Sequence, residues 1–402
     1  MKWKKLLRQA PDLLKGNTTD VIDAHELVRK YSIEELSETA EDYFARVTNP
    51  WYHTVKPFAS PEEAPDNLGA FAALIAAAEL KKNHVVLDFA AGSCWTSRYL
   101  AQMGCEVVAS DISPSALDIG RRALAALPLL PPHGRLDFLN FDGFTIALPD
   151  ESIDRVLCLD AFHHVVNQGD VLKEINRVMK PGSIFAMSEP GPNHSRSAQS
   201  QFEMRNYKVV EQDIVVDDIA TLASTAGFTD CQVAVYNARP HFVGAAEFEL
   251  TLTRGDREIA DATRRFLENH RLIRMRKSGD ELIDSRSRAH LNTTITATAE
   301  GSRVSVVARN TGSAVWLPSG GDPGAVNLGV HAISRDGSVH DLDFHRVYCV
   351  EVPVAPGDAV TCTFDLPLLP AGINTVEIDL VAEHVSWFAN VGTNPVRLQI
   401  DD

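Results

Sequence analysis

Short apolar runs alternate with amphipathic segments between His84 and about Asn237. The apolar runs are rich in branched and aromatic residues, which favours strands, and the segment from Val171 to Val178 places its apolar residues on one helical face. Strands that alternate with helices form a parallel sheet covered on both faces. The pattern therefore predicts a doubly wound α/β core with the strands HVVLDFA, EVVASDI, RLDFLNF, SIDRVLCLD, SIFAMSE and CQVAVYN.

The segments on either side of this core have different patterns. Residues 1–80 combine helical patterns with an irregular aromatic passage, and we expect a helical N-terminal cap or lid on an α/β domain of residues 81–240. Residues 241–290 predict a strand and helix extension that ends in a charged linker. In residues 291–402, alternating runs are separated by Gly, Pro, Asn and Asp turns, which predicts an all-β sandwich of immunoglobulin-like size.

Composition narrows the classes of function. The chain has 402 residues, enough for two or three domains, and 45% of them are hydrophobic, as in a globular protein. Its 38 Lys plus Arg against 54 Asp plus Glu leave a net charge of −16, which repels phosphate backbones and anionic lipid surfaces. We therefore expect no nucleic-acid partner.

Cysteine spacing and the N-terminal segment predict the compartment. The six cysteines form no CxxC pair and no cluster at zinc spacing, so we predict neither a disulfide framework nor a metal site. The N-terminus lacks the apolar run of a signal peptide, and the longest apolar stretch is too short to cross a bilayer. We expect a cytoplasmic protein with reduced thiols and no membrane span.

A loop of small residues follows the first predicted strand. Ala90, Ala91 and Gly92 stand between Leu87-Asp88-Phe89 and a helical segment that begins near Trp95. Small residues let a ligand approach the backbone, and α/β sheets bind ligands at the carboxyl ends of their strands. The loop therefore predicts a nucleoside-binding turn.

The charges around this loop indicate the kind of ligand. Asp111 ends the second predicted strand 23 residues after Asp88, close to the interval of about 20 residues at which an acid reaches a ribose diol. A dinucleotide-binding loop has the pattern G-x-G-x-x-G, whereas this loop contains Ala90, Gly92 and Cys94. Because Asp88 repels a pyrophosphate and attracts a cation, we expect a positively charged cofactor without phosphate.

Four motifs, in order, resemble those of the class I S-adenosylmethionine-dependent methyltransferases. VLDFAAGSCWTSRYLAQMG is similar to the first motif, VVASDISPSAL to the second, and DGFTIALPDESIDRVLCLDAFHHV to the third and fourth. VLKEINRVMKPGSIFAMSEPG is similar to the helix and fifth strand that follow, so the resemblance covers about residues 84–237. It implies a Rossmann-like fold, an enzyme that transfers a methyl group, and S-adenosylmethionine as cofactor.

The resemblance also implies roles for individual residues. Asp88 and Gly92 are expected at the methionine part of the cofactor, and Asp111 at the ribose hydroxyls. Ile112 is expected against the adenine, and Asp142 at its amino group. Further cofactor contacts are implied at Ala90, Cys94, Gly143 and Asp160, of which Ala90 and Cys94 replace glycines that are more frequent in the family.

Two of these acids have a structural alternative. Asp111 precedes a predicted helix, whose N-terminus a carboxylate can cap, but Ser113 already offers a capping hydroxyl. Asp142 stands in Asn-Phe-Asp-Gly, where an acid is common in a turn. We favour the cofactor role for both.

Methyl transfer to a hydroxyl needs a base beside the methyl group. His163 and His164 follow the fourth predicted strand, and Glu189 and His194 follow the fifth, so all four are expected at the carboxyl edge of the sheet. We expect one of the histidines to be the general base, because histidine titrates near neutrality. In the alternative, one of the adjacent pair packs inward and Glu189 holds the loop.

Two further sets of residues have open interpretations. Tyr52, His53 and Lys56 either close over the acceptor as a lid or pack against the α/β core. A basic group either holds an acceptor phosphate or, as we favour, forms the solvated face of a charged helix. Its members are Arg271, Arg274, Arg276 and Lys277.

The C-terminal region resembles the immunoglobulin-like β-sandwich of bacterial methyltransferases and glycosyltransferases that act on surface polysaccharides. The resemblance covers about residues 292–402 and implies O-methylation of a sugar or saccharide-containing acceptor. Trp316, Trp387 and Phe388 either stack on sugar faces or, as we favour, fill the core. If the region instead mediates a homodimer, the small-molecule acceptor stays open.

Three alternatives to this function stay open. The first is a methyltransferase that acts on nitrogen or carbon of another small molecule. The second is a non-catalytic scaffold that senses the cofactor, although a scaffold has no need of Asp88, Asp111 and the edge histidines. The third is a dehydrogenase, against which the missing G-x-G-x-x-G counts.

Overall fold

A computed structural model describes residues 21–131, 133–255 and 257–400. The chain divides into two compact units, Met1–Gly279 and Asp280–Asp402. The first 20 residues of the predicted N-terminal cap, and the last two of the predicted sandwich, lie outside the described residues.

The first unit is built on a mixed sheet. Its strands are β1 (Val85–Phe89), β2 (Glu106–Asp111), β3 (Leu136–Asn140), β4 (Ile153–Leu159), β5 (Met179–Pro190), β6 (Phe228–Val233) and β7 (His270–Lys277). Within the described residues their order is β3-β2-β1-β4-β5-β7-β6. The first five strands pair in parallel, and β7 runs antiparallel to both neighbours. The sheet is Rossmann-like, as predicted, with one antiparallel strand, β7, inserted between β5 and β6.

Helices precede and connect these strands. They are α1 (Ala24–Lys30), α2 (Ile33–Ala45), α3 (Trp51–Val55), α4 (Ala64–Ala77), α5 (Trp95–Gln102), α6 (Pro114–Ala126), α7 (Gln168–Val178), α8 (Ala198–Tyr207), α9 (Val216–Thr225), α10 (Phe248–Arg254) and α11 (Arg257–Asn269). Helix α7 illustrates their packing, because Val171, Ile175 and Val178 on one face are fully buried in the core. In the part of the chain that the structure describes, no helix has the length and apolar character to cross a membrane.

The segment predicted as a strand and helix extension contains β7, which lies between β5 and β6. Residues 241–279 belong to the first unit, and the stretch expected to be part of a charged helix is this strand. Leu272, Ile273 and Met275 are buried in the sheet. A strand with neighbours on both sides needs such apolar residues. In a helix, the same residues would be distributed around the helix axis.

The basic residues of β7 are therefore not a solvated helix face. The Nη1 group of Arg274 lies 2.8 Å from Glu79 Oε1, and Nη1 of Arg276 donates to the Gly182 carbonyl at 2.7 Å. Lys277 Nζ donates to the Met179 carbonyl at 2.7 Å. Because these groups hold neighbouring segments of the unit, the structure gives no support to an acceptor phosphate site there.

Strand register defines the edge on which the site is built. Asp88 in β1 pairs with Ala109 of β2 on one side and with Leu157 of β4 on the other. Leu159 at the end of β4 pairs with Ser188 of β5. The residues that follow β1, β2, β4 and β5 therefore emerge side by side at one edge of the sheet.

The second unit consists of antiparallel sheets. Its strands are β8 (Thr293–Glu300), β9 (Arg303–Asn310), β10 (Val326–Ile333), β11 (Val339–Val347), β12 (Ala359–Asp365), β13 (Thr375–Ala382), β14 (Ser386–Trp387) and β15 (Val396–Gln399). Among the described residues they form a three-stranded sheet, β12-β9-β8, and a five-stranded sheet around β10 and β13. Both sheets contribute to one core, in which Val306 packs with Val330 and Ile378.

The aromatic residues proposed as sugar platforms mostly belong to this core. Trp316 and Phe388 are both 0% exposed and meet edge to face at 5.6 Å between ring centroids. Trp387 is partly exposed, but the Arg346 guanidinium lies over its ring at 4.7 Å. The sugar-stacking interpretation of Trp316 and Phe388 is therefore wrong. Their rings fill space between the sheets, as the interpretation that we favoured predicted.

Candidate active site

The loop after β1 has an unusual backbone. Ala90, Gly92 and Cys94 all adopt left-handed conformations, with φ of 55°, 53° and 60°. Only glycine adopts this region without steric cost, so Ala90 and Cys94 each carry a strain of about 1 kcal/mol. Apart from its chain neighbours, the Phe44 ring, at 3.8 Å, is the only group of the described residues within 4 Å of a Cβ at Gly92. The backbone of Gly92 is thus open to a ligand, as a nucleoside-binding turn requires.

Asp111 ties this loop to the end of β2. Its Oδ2 accepts the Gly92 N–H at 2.7 Å, and its Oδ1 accepts the Ser113 N–H at 2.8 Å. Ser113 is the N-cap of α6, accepting the Ala116 N–H at 3.0 Å. Burial raises the pKa of Asp111 to about 6. Asp111 is thus not the cap, and its carboxylate lies directly beside Gly92.

Asp88 lies beneath the loop and is 2% exposed. Its Oδ2 accepts hydrogen bonds from the hydroxyls of Thr96 at 2.6 Å and Ser97 at 2.5 Å, both in the first turn of α5. Burial raises the pKa of Asp88 to about 6, although these hydroxyls oppose the shift. Asp88 therefore joins β1 to α5, and its contact with the methionine part of the cofactor stays a prediction.

The buried charge of Asp88 leads to a prediction about stability. In the unfolded chain Asp88 titrates near its ordinary value of 3.8, so the folded state binds more protons between that pH and about 6. Stability is thus lost as pH rises through 6. We expect Asp88→Asn to stabilise the β1 region by about 3 kcal/mol at pH 8 and by nearly nothing at pH 4.

Hydrogen exchange of peptides that cover Val85–Phe89, corrected for intrinsic rates, measures this difference at both pH values. Asp118→Asn is the matched control, because Asp118 is exposed and pairs only with Arg122 on the same helix. A difference of the same size at pH 4 and pH 8 would contradict the electrostatic origin.

Ile112 and Gly143, two of the residues expected at the cofactor, lie next to each other. A Cβ at Gly143 lies 3.5 Å from Ile112 Cδ1, so Gly143 and Ile112 are neighbours. Asp142 is exposed, and its Oδ1 accepts the N–H groups of Phe144 at 2.8 Å and Thr145 at 2.6 Å. Asp142 thus forms the turn that its alternative predicted, and a contact with the adenine amino group stays a prediction. Asp160 is exposed at the end of β4.

The N-terminal helices lie against the loop. Glu41 in α2 accepts the Ser115 N–H at 3.0 Å and the Ser113 hydroxyl at 2.6 Å, at the positive end of α6. Burial opposes ionisation of Glu41, but the hydrogen bonds from Ser113 and Ser115 outweigh it and lower its pKa. Sequence reasoning missed Glu41, because nothing in its local pattern distinguishes it from other helical acids.

The residues proposed as a lid have specific partners. Ser93 Oγ in the loop donates to the His53 carbonyl at 3.1 Å, and the His53 ring packs on Phe44. Tyr52 Oη donates to Glu63 at 2.8 Å, and Lys56 Nζ lies 5.3 Å from the centroid of the Tyr52 ring. Burial, assisted by the charge of Lys56, lowers the pKa of His53 to about 4. The structure brings His53 to the loop, whereas Tyr52 faces Glu63.

The four proposed catalytic residues converge where β4 and β5 end, and the ring centroid of His163 lies 3.9 Å from that of His164 and 4.7 Å from that of His194. His163 is 3% exposed and its Nδ1 lies 2.7 Å from Glu189 Oε2. Glu189 Oε1 also accepts the Phe162 N–H at 2.8 Å. Burial lowers the pKa of His163, but Glu189 outweighs it and raises that pKa to about 9. The structural alternative holds for His163, which packs inward against a carboxylate.

Glu211 links His194 to the same cluster and was missed from the sequence. Its Oε2 lies 2.6 Å from His194 Nε2 and 3.7 Å from His163 Nε2. It follows α8 in an irregular segment, where no periodicity or motif marks it. Only the path of this segment across the edge of the sheet places Glu211 between the two histidines.

His164 differs from the other two histidines. Its Nδ1 donates to the Val210 carbonyl at 2.7 Å, which leaves the lone pair on Nε2. Its side chain is 38% exposed, against 3% for His163. Of the three predicted bases, His164 is therefore the one whose ring reaches solvent with a defined tautomer.

Comparisons with known proteins match this architecture. Residues 87–187 match a family model described as "Methyltransferase domain". Demethylmenaquinone methyltransferase of Clavibacter sepedonicus is 36% identical over 104 residues, which are 26% of this chain and 40% of that protein. The ubiquinone/menaquinone C-methyltransferase of Pseudoalteromonas translucida is 28% identical over 30% of this chain and 48% of its own. The chain thus spans less than half the length of these relatives.

Among solved structures, phosphoethanolamine N-methyltransferase 2 of Haemonchus contortus in complex with S-adenosyl-L-methionine is 16% identical. The match covers 64% of this chain and 61% of that chain, with a TM-score of 0.40. The family match spans the loop after β1, the acid that ends β2 and the two histidines after β4, whereas Glu189, His194 and Glu211 lie beyond it. The chain therefore carries a class I methyltransferase domain whose cofactor is S-adenosylmethionine.

Proposed function

We propose that this protein transfers the methyl group of S-adenosylmethionine to a small-molecule acceptor at the carboxyl edge of the sheet. The observation that carries the proposal is the left-handed loop at Ala90–Cys94, held open at Gly92 by the carboxylate of Asp111. S-adenosylmethionine supplies an electrophilic methyl group on a sulfonium. The chain's own residues then have to bind this cofactor, exclude water and remove a proton from the acceptor.

The residues around the loop fit this cofactor. Asp111, 7% exposed, offers a carboxylate beside the loop for the ribose hydroxyls, and Ile112 with Gly143 offers an apolar surface for the adenine. The negative charges of Asp88 and Asp111 favour a cation over a pyrophosphate.

The N-terminal helices are proposed to act as the lid. Phe44 of α2 lies over Gly92, and Glu41 of the same helix holds the start of α6. Closure over the loop excludes water from the methyl group, which keeps the reaction between the two bound reactants. We assign Lys56 and Tyr52 to the rim of this lid. In the proposal, they contact the acceptor when the helices close further.

An aromatic acceptor suits the surroundings better than a sugar. Tyr43 of α2 packs edge to face on Tyr207 of α8 at 6.0 Å, and on Phe44 at 5.1 Å. Phe202 extends this aromatic wall. Such rings favour a planar, largely apolar acceptor, in the class of phenols and quinols. The relatives above are named for quinones, and neither they nor the buried Trp316 support sugar O-methylation.

His164 is proposed as the general base. The Val210 carbonyl holds its Nδ1 proton, so that Nε2 can accept the proton of an acceptor hydroxyl or acidic C–H. Glu189 and Glu211 already occupy His163 and His194. This division of roles leaves one histidine for proton transfer and two for a different task.

Calorimetry and a transfer assay test the function. We expect the purified chain to bind S-adenosylmethionine and not NAD, and to label phenolic or quinol acceptors from cofactor with a radioactive methyl group. Binding without transfer to any member of a broad acceptor panel would favour the non-catalytic scaffold. Binding of NAD alone would return the dehydrogenase.

A further inference from the structure

We propose that His163, His194 and Glu211 form a binding site for one divalent transition-metal ion of the Zn²⁺ type. Each residue offers one ligand atom, and these atoms all lie within 4.8 Å of one another. Two histidines and one carboxylate are a recurrent protein ligand set for such ions. The proposal concerns binding and stands apart from the proposed methyl transfer.

The spacing of the ligand atoms fits a single ion. Tetrahedral bonds of about 2.0–2.1 Å place two ligand atoms about 3.3 Å apart. His163 Nε2 and Glu211 Oε2 are 3.7 Å apart, and His194 Nε2 is 2.6 Å from the same carboxylate oxygen. Small side-chain rotations therefore bring all three atoms to bonding distance, with the ion replacing the proton that His194 and Glu211 share.

An unpaired oxygen inside the cluster is the second, independent observation. Glu211 is 2% exposed, and within the described residues its Oε1 has no hydrogen-bond partner. Its neighbour His164 Nδ1 is 3.7 Å away and donates to Val210 instead. A buried carboxylate oxygen without a partner is costly. A metal ion held by both oxygens of the Glu211 carboxylate satisfies it.

Glu189 supplies the outer contact that metal-binding histidines have. It lies 2.7 Å from His163 Nδ1, which holds the ring in place and directs Nε2 toward Glu211. A carboxylate on the second ring nitrogen is the usual support for a metal-bound histidine. Ser200 Oγ lies 3.3 Å from His194 Nε2, so the hydroxyl also borders the site.

The charge of the surroundings favours a dication. Glu189 and Glu211 are both buried, and Glu203 lies beside Glu211. A bound dication neutralises the combined negative charge of these carboxylates.

Three protein ligands leave one position of a tetrahedral ion open. If the proposed function is correct, this open position is the one that the acceptor occupies. A phenolate or quinol oxygen of the acceptor is the ligand that this position suits.

Metal binding by the untagged full chain tests the proposal. After dialysis against a chelator and removal of the chelator, the protein is titrated with Zn²⁺ by calorimetry and with Co²⁺ by visible absorption. We expect one equivalent per chain and the d–d bands of tetrahedral Co²⁺. His194→Ala and Glu211→Gln should each weaken binding at least about 100-fold, and Glu189→Gln by about 10- to 100-fold.

His133→Ala is the matched control, because His133 is exposed and its Nδ1 hydrogen-bonds the Gly134 carbonyl. S-adenosylmethionine calorimetry on every variant separates this proposal from the proposed function and shows that each variant is folded. The proposal is overturned if the wild type binds neither ion, or if variants that still bind S-adenosylmethionine keep full metal affinity. Failure of the wild type to bind S-adenosylmethionine would instead overturn the proposed function alone.

Discussion

Asp111→Ala should weaken binding of S-adenosylmethionine at least about 100-fold. The substitution removes the carboxylate that is proposed to accept the ribose hydroxyls, and two charge-assisted hydrogen bonds contribute about 3 kcal/mol or more. It also releases the Gly92 N–H, which Asp111 holds at 2.7 Å, so the loop keeps its link to β2 through the Ala91 N–H and the Ser110 carbonyl but loses the second one. Calorimetry of the variant and the wild type measures the change.

Asp111→Asn separates these two contributions. Asparagine keeps one oxygen for the Gly92 N–H but lacks the charge and one acceptor, so we expect an intermediate loss. Asp118→Ala is the control for a nearby acid, since Asp118 is exposed on α6 and pairs with Arg122 at 3.1 Å. Wild-type affinity in Asp111→Ala would return Asp111 to a purely structural role and sink the proposed ribose contact.

His164→Ala should lower kcat by about 10²- to 10⁴-fold while cofactor affinity changes little. The reason is that Nε2 of His164 is the proposed proton acceptor. The ring does not belong to the groups that we propose for cofactor binding. The Val210 carbonyl fixes its tautomer at 2.7 Å, so the base is prepared before the acceptor binds. Steady-state rates with a labelled cofactor and an identified acceptor measure the effect.

His133→Ala is the matched control here too, because the His133 ring is exposed and the residue precedes the amino end of β3. A kcat in His164→Ala within about twofold of the wild type would show that another group takes the proton, or that the acceptor needs no base. His164→Gln adds a second readout, since an amide can hold an acceptor hydroxyl but cannot take its proton.

The comparison of the variants at Asp111 and His164 also distinguishes binding from chemistry. The first variant is expected to lose cofactor affinity, and the second to lose turnover at saturating cofactor. If both variants lost only turnover, the loop after β1 would not be the cofactor site that we propose. The two measurements together therefore test the site more sharply than either alone.

Local patterns predicted the parts of this protein that short stretches of chain determine. The loop after β1, the Ser113 cap of α6 and the apolar face of α7 each depend on residues within about one helical turn of one another. The alternation of strands and helices predicts that the strands run parallel, so the carboxyl edge and its four candidate groups could be located in advance.

What only the tertiary structure decided were contacts between distant segments. β7 lies between β5 and β6 because three buried apolar residues complete the sheet there, although their basic neighbours resemble a charged helix. Trp316 is buried by a second sheet that its own strand pattern does not reveal.

The candidate site shows the same division between local and distant information. The sequence by itself determined a class I methyltransferase core, the loop that we propose for the cofactor and the acid at the end of β2. It did not determine that Glu211 lies between His163 and His194, or that Glu41 holds α6, because each acid reaches its partners across the fold from an unremarkable segment. Residue types along the chain report local conformation, whereas the pairing of buried charges depends on which distant segments share low-dielectric space.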